Sequence, residues 1–245
     1  MRADAKKMGG LTTRVIDVLD GDASPSLAII LCHGFGAGGS DLVPLAEVLL
    51  RASEKLAGSA RFYFPEAPLD LSSMGMWGSR AWWMIDMEAL NRALADNTFR
   101  DRARNDRPEG MLEARAMVQK LVEEVKEETG LPTSRIALGG FSQGSMVTMD
   151  VAFQLEQNPA ALIAWSGTLL NEDEWRERSQ HHAGMKVLQS HGRQDPLLSY
   201  AWAEDLRDVL VEVGADVEFV PFDGPHTIPD EALIRTVSLL ESVLE

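Results

Sequence analysis

The sequence predicts an α/β fold in which a mostly parallel sheet is covered by helices on both faces, and three observations lead there. Short apolar runs alternate with helix-patterned stretches from Leu27 to Leu244. The runs Leu27 to Cys32 and Ala160 to Trp165 are continuously apolar, as strands buried on both faces must be. Finally, Gly140-Phe141-Ser142-Gln143-Gly144 stands between the apolar run Arg135 to Gly139 and a helical stretch from Met146 to Leu155, which reads as strand, sharp turn and helix.

Length and composition set the bounds. A chain of 245 residues with 45% hydrophobic and 25% charged residues suits one domain over 1–245 with a substantial core. A net charge of −15 argues against nucleic acid or an anionic membrane as the main partner. The single cysteine, Cys32, excludes an internal disulfide framework and suits a reducing cytoplasm. No run of about 18 apolar residues is present to span a bilayer, and the basic start, Met1 to Leu11, has no apolar stretch behind it to make a secretory signal.

Taken in order, Thr12 to Leu19 alternates as a half-buried strand, Gly21 to Ser26 reads as a turn, and Leu27 to Cys32 is a buried strand. The glycine-rich loop His33 to Asp41 follows, then a helix from Leu42 to Leu56 capped by Ser40 or Asp41. The loop lacks both the Gly-Lys-Ser/Thr ending and the G-x-G-x-x-G order of phosphate-binding loops. Arg61 to Phe64 is a strand that leads into the rigid Pro65-Glu66-Ala67-Pro68. The stretch 75–110, with Trp77, Trp82 and Trp83 ahead of a long polar run, reads as a lid-like insertion or as a surface excursion packed on its own aromatics. Leu112 to Thr129 is an amphipathic helix stopped by Gly130 and Pro132. After the Ser142 helix and the strand Ala160 to Trp165 come a polar loop or short helix from Trp175 to Gly184 and the strand Met185 to Ser190. A helix from Tyr200 to Val213, a strand Val217 to Pro221 and a closing helix from Asp230 to Leu244 complete the chain.

Acyl transfer by a serine needs a base to take the hydroxyl proton and a carboxylate to orient that base. Ser142, Asp195 and His226 occur in the required chain order, the last two in loops just after strands. Asp223 is too close to His226 in the same loop to approach its imidazole well, and Asp216 opens its strand at the wrong end of the sheet. His33 and His191 read as structural hydrogen-bonders, and Cys32 as a small buried hydrophobe within its strand. His181 and His182 sit in a polar connector without further ligands spaced for a metal. The backbone N–H groups of Phe35 and Gln143 are placed to form an oxyanion hole, the helix after Ser142 directing its positive dipole end at the same point.

Leu31 to Asp41, Gly139 to Met146, His191-Gly-x-x-Asp-Pro196 and Gly224-Pro-His226 resemble the phospholipase/carboxylesterase family, which includes acyl-protein thioesterases and small bacterial carboxylesterases. The resemblance implies a compact α/β-hydrolase fold without a large cap domain, acting on esters or thioesters with no metal or organic cofactor. It also implies the catalytic set Ser142, Asp195 and His226, the oxyanion donors Phe35 and Gln143, and a monomer or homodimer. Arg80-Ala81-Trp82-Trp83 resembles a family element near the acyl pocket, so Trp82, Trp83 and Trp165 are expected to bind substrate, with 75–110 as a wall or partial lid. Two departures bear on the acyl group. Trp83-Met84-Ile85-Asp86 separates the aromatic residue from the Asp, and Met87 to Gly110 is longer than in compact relatives. Alternative expectations are lysophospholipid hydrolysis at a membrane surface, and a binding protein that has kept the fold but lost the chemistry. The second would be signalled by a missing catalytic residue or oxyanion glycine, and none is missing.

Overall fold

The computed structural model describes residues 2–21, 23–86, 88, 104, 107–179 and 181–245. The chain opens with an element that the sequence reading did not assign, β1 (Arg2–Met8). It turns through Gly9 and Gly10, both at positive φ (58° and 84°), into β2 (Leu11–Asp17). Met8 pairs with Leu11, so the loop is the two-residue hairpin that Gly-Gly favours. There follow β3 (Leu27–Cys32), α1 (Val43–Ala52), α2 (Glu54–Ala57), β4 (Ala60–Pro65), β5 (Leu69–Asp70), β6 (Arg80–Ala81), α3 (Met111–Thr129) and β7 (Ile136–Phe141). The rest is α4 (Gln143–Gln154), β8 (Ala161–Trp165), α5 (Glu172–Ser179), β9 (Lys186–Gly192), α6 (Tyr200–Glu212), β10 (Asp216–Phe222) and α7 (Asp230–Ser242).

Two details differ from expectation for local reasons. The single helix expected from Leu42 to Leu56 is broken at Ser53, whose backbone is extended (φ −146°, ψ 114°) and whose Oγ accepts the Leu56 N–H as the cap of α2. The cap of α1 is neither Ser40 nor Asp41 but Leu42, which makes no side-chain cap bond and precedes a proline-containing first turn.

The main sheet has eight strands in the order β1-β2-β4-β3-β7-β8-β9-β10. Pairing is parallel from β4 through β10 and antiparallel for β1–β2 and β2–β4. Side-chain alternation splits the interior into two cores. Ala28, Ile30, Cys32, Ile136, Leu138, Leu162 and Ala164 pack with α3, α4 and α6, whereas Leu27, Ile29, Leu31, Ala137, Ile163 and Trp165 pack with α1, α2 and α7. Helices thus cover both faces, which is why the central strands are apolar throughout. From β3 the chain goes outward to β4 and then crosses back to β7 on the other side, so the order reverses at the β3–β7 boundary. Ligand sites of open α/β sheets lie in the crevice beyond the carboxyl ends of the strands at such a reversal. The His33 to Asp41 loop and Ser142 both leave the sheet there.

Half of the expected lid-like insertion, residues 87, 89–103 and 105–106, lies outside the described residues. Among the described residues no helix is long and apolar enough to cross a membrane.

Candidate active site

Ser142 joins β7 to α4 with φ 54° and ψ −122°, a strained conformation for a residue with a Cβ. Its N–H donates to the Trp165 carbonyl (2.9 Å), and its own carbonyl accepts from the N–H groups of Ser145 and Met146 and the Ser145 hydroxyl. The Ser142 side chain makes no cap bond to the helix, so its Oγ is not committed to the helix N-terminus. The flanking glycines are required for a reason beyond relief of the serine. A Cβ on Gly144 would lie 2.0 Å from the Cys32 carbonyl oxygen, and one on Gly140 would lie 2.3 Å from that oxygen and 2.7 Å from the Gly144 carbonyl carbon. The turn therefore packs backbone to backbone against the end of β3, bringing the loop after β3 to the serine. A Cβ on Gly34 would be 3.3 Å from that of Ser142, and Phe35 is the next residue.

Gln143 is the first residue of α4, so its N–H has no acceptor within the helix. The role of its side chain was not foreseen. Buried, it donates from Nε2 to the Trp83 carbonyl (2.8 Å) and accepts at Oε1 from the Trp82 N–H (2.9 Å). The Trp82 indole Nε1–H donates to the His33 carbonyl (2.8 Å). Gly36 N–H donates to the Arg80 carbonyl, and Arg80 N–H to that of Ala37. The segment Arg80 to Trp83 is thus bonded to the loop after β3 and to the start of α4. Trp82, Trp83 and Trp165 are 1%, 3% and 0% exposed and pack into the core clusters. The one sequence signal for this was Gln, rather than a small residue, following the serine.

His33 donates from Nδ1 to the Gly34 carbonyl (2.8 Å) and accepts the Ala67 N–H at Nε2 (3.1 Å), which fixes the neutral tautomer. Burial lowers its pKa, with its bond to Gly34 and nearby Asp41 and Glu66 opposing, in keeping with that assignment. Burial drives the Cys32 thiol far above its usual range, so it is not a thiolate at neutral pH.

Asp195 follows β9 and His226 follows β10, and their loops are packed together. A Cβ on Gly192 would lie 2.3 Å from the Gly224 carbonyl oxygen, while Gln194 N–H donates to that oxygen and Arg193 N–H to Phe222. His226 Nδ1 is 2.6 Å from Asp195 Oδ2. Asp195 Oδ1 accepts the N–H groups of Leu197 (2.8 Å) and Leu198 (2.9 Å). Burial by itself would raise the Asp195 pKa, but hydrogen bonds from His191, His226 and the Leu198 N–H outweigh it and hold the carboxyl well below the usual range. The group is therefore a carboxylate, His226 keeps its proton on Nδ1, and Nε2 is the open lone pair. The His226 ring packs on Phe141, the residue before Ser142, at 4.7 Å between centroids. Beside it, Ser166 Oγ donates to the Thr227 carbonyl.

The rival carboxylates lie elsewhere. Asp223 has an 87% exposed side chain near Arg193, and Asp216 starts β10 at the far end of the strand from His226. His182 bonds Asn158 Oδ1 and packs on Phe153. Among the described residues no group of three or more His, Cys, Asp or Glu is placed to hold a metal ion.

The sequence pattern of phospholipase/carboxylesterases matches residues 14–243. The chain belongs to the phospholipase/carboxylesterase family. It is 31% identical over 179 residues to acyl-protein thioesterase 1 of Eremothecium gossypii, covering 72% of this chain and 69% of that one. It is 26% identical over 250 residues to acyl-protein thioesterase 1 of Mycosarcoma maydis, covering 97% and 99%. Among solved structures, the esterase PE8 matches with a TM-score of 0.76 at 21% identity, covering 99% of this chain and 100% of that one. The fold is that of the α/β-hydrolases, and the chain, as a family member, is a carboxylic ester hydrolase.

Proposed function

We propose that the protein hydrolyses esters or thioesters through an acyl-enzyme formed on Ser142, with His226 as base and Asp195 as its orienting carboxylate. The observation that carries this is the 2.6 Å bond between Asp195 and His226 at the carboxyl ends of β9 and β10, beside the strained turn bearing Ser142. As Ser142 Oγ attacks the acyl carbon, its proton passes to His226 Nε2, and the resulting imidazolium is stabilised by Asp195. The carbonyl oxygen becomes an oxyanion facing the N–H groups of Phe35 and Gln143, each such donor being worth about 3–4 kcal/mol. Collapse expels the alcohol or thiol, which takes the proton from His226 and leaves the acyl group on Ser142. Water then repeats the sequence, giving its proton to His226, and release of the acid restores Ser142. The relatives' names support an acyl thioester on a protein as one substrate class.

One observation favours a second reading, amphiphilic substrates such as lysophospholipids. Trp77 is 83% exposed on a loop with the exposed Met74 and Met76, and a Cβ on Gly36 would lie 3.2 Å from Met76 Cε. An apolar loop tip thus stands beside the proposed oxyanion loop.

Both readings are tested by kcat/KM over a chain-length series of aryl esters, beside an acyl thioester and a lysophospholipid. Acceleration confined to lysophospholipid aggregates would select the second. Repeating the ester series with Trp82→Phe, which removes the indole N–H bonded to the His33 carbonyl together with part of a buried ring, separates a brace from a pocket wall. As a brace of the oxyanion loop, Trp82→Phe lowers kcat/KM about threefold to tenfold at every chain length, the size of one net hydrogen bond. A loss that grows or shrinks along the series would instead place Trp82 against the acyl chain.

A further inference from the structure

Asp195 Oδ2 meets two imidazoles. Besides His226, the Nε2 of His191 lies 3.2 Å away, and the same Nε2 is 2.8 Å from the Leu198 carbonyl oxygen. Both neighbours of that nitrogen only accept hydrogen bonds, so Nε2 carries the proton and divides it between them. His191 is wholly buried, and its Nδ1 has no partner among the described residues. A second proton there would add a buried N–H with nothing to receive it, so the geometry fits the neutral Nε2–H ring. The ring lies tilted against Tyr200 at the start of α6, 6.4 Å between centroids.

We infer that His191 is a positioning residue for the hydrolytic site: it fixes the carboxylate oxygen that orients His226. This inference rests on the proposed triad and adds a member that does not touch substrate. Leu197 and Leu198 hold Oδ1 through their N–H groups, and His191 closes the same turn from the other side by binding the Leu198 carbonyl. Oδ2 then has one static donor, His191, and one working donor, His226. Without the static donor Oδ2 is held by His226 alone and the carboxylate can tilt about the Oδ1 anchor, so His226 loses the direction of its Nδ1 anchor.

The test compares His191→Leu, which fills the space without a donor, with His191→Gln, whose amide N–H reaches the place of the imidazole Nε2. The expected result is a kcat about tenfold lower for His191→Leu with KM changed less than about twofold, and recovery of most of that loss in His191→Gln. In an Asp195→Asn background, His191→Leu should lower kcat no further, because the group it positions is already gone. Equal damage in the Leu and Gln variants, or the same fractional loss with and without Asp195, would overturn the inference and leave His191 a packing residue. If His191→Leu fails to fold, His191→Asn, whose shorter amide stops short of Asp195, takes its place against His191→Gln. A crippled Asp195→Asn beside an unaffected His191→Leu defeats this inference alone, whereas an active Asp195→Asn defeats the triad as well.

Discussion

Ser142→Ala is expected to lower kcat on the order of a million-fold, the loss seen when a serine protease loses its nucleophile, while Tm stays within about 2 °C. The stability expectation follows from what the substitution leaves untouched. Among the described residues, every hydrogen bond of Ser142 uses its backbone, to Trp165, Ser145 and Met146. Alanine keeps a Cβ and so keeps the strain of φ 54°, and the packing of Gly140 and Gly144 on β3 is unchanged. Residual turnover above that of water would reflect the N–H groups of Phe35 and Gln143, which survive the change. Retention of more than a small fraction of activity, with the fold intact by circular dichroism, would remove Ser142 from the chemistry.

Asp195→Asn should cost about ten-thousand-fold in kcat, and Asp223→Asn less than about twofold. The size of the first follows from the surroundings of the carboxylate. Oδ1 is flanked by the N–H groups of Leu197 and Leu198, so an amide at this position places its oxygen there and its NH2 where Oδ2 was. That NH2 would face the Nδ1–H of His226, which must move its proton to Nε2 to bond it. An imidazole in that tautomer has no lone pair to accept the serine proton. The same NH2 would also confront Nε2–H of His191, so the turn has no way to relax around the substitution. Asp223, almost fully exposed and 3.7 Å from Arg193, loses at most a weak surface ion pair. Steady-state kinetics on one aryl ester decides between them, and a crippled Asp223→Asn beside a healthy Asp195→Asn would assign the carboxylate wrongly.

Where the sequence was legible, the reason is burial on both sides. The bounds of β3, Leu27–Cys32, could be read directly because every side chain in it is apolar and buried, whereas Ser26 and His33 at its ends are polar. The β1 strand was invisible by the same logic. Arg2–Met8 carries Arg2, Asp4, Lys6 and Lys7 on an exposed edge, and its strand character comes from pairing with β2 rather than from its own composition. The signal that could have found it was Gly9-Gly10, a hairpin turn ahead of an alternating run. The order Ser142, Asp195, His226 was legible because chain order and strand ends fix it, and Asp216 could be discounted on topology alone. What stayed hidden were contacts between residues far apart in sequence. Nothing local to Gln143 announces that its amide holds the backbone of Trp82 and Trp83, and nothing local to His191 announces that it shares Oδ2 with His226. Those depend on which loops the sheet order brings together.

Transfer of an acyl group to Ser142 is tested most directly by reaction with a fluorophosphonate followed by peptide mass mapping. One adduct per chain is expected, on the peptide bearing Ser142, formed more slowly in Asp195→Asn and absent from Ser142→Ala. An adduct on another residue, or one that persists in folded Ser142→Ala, would contradict it.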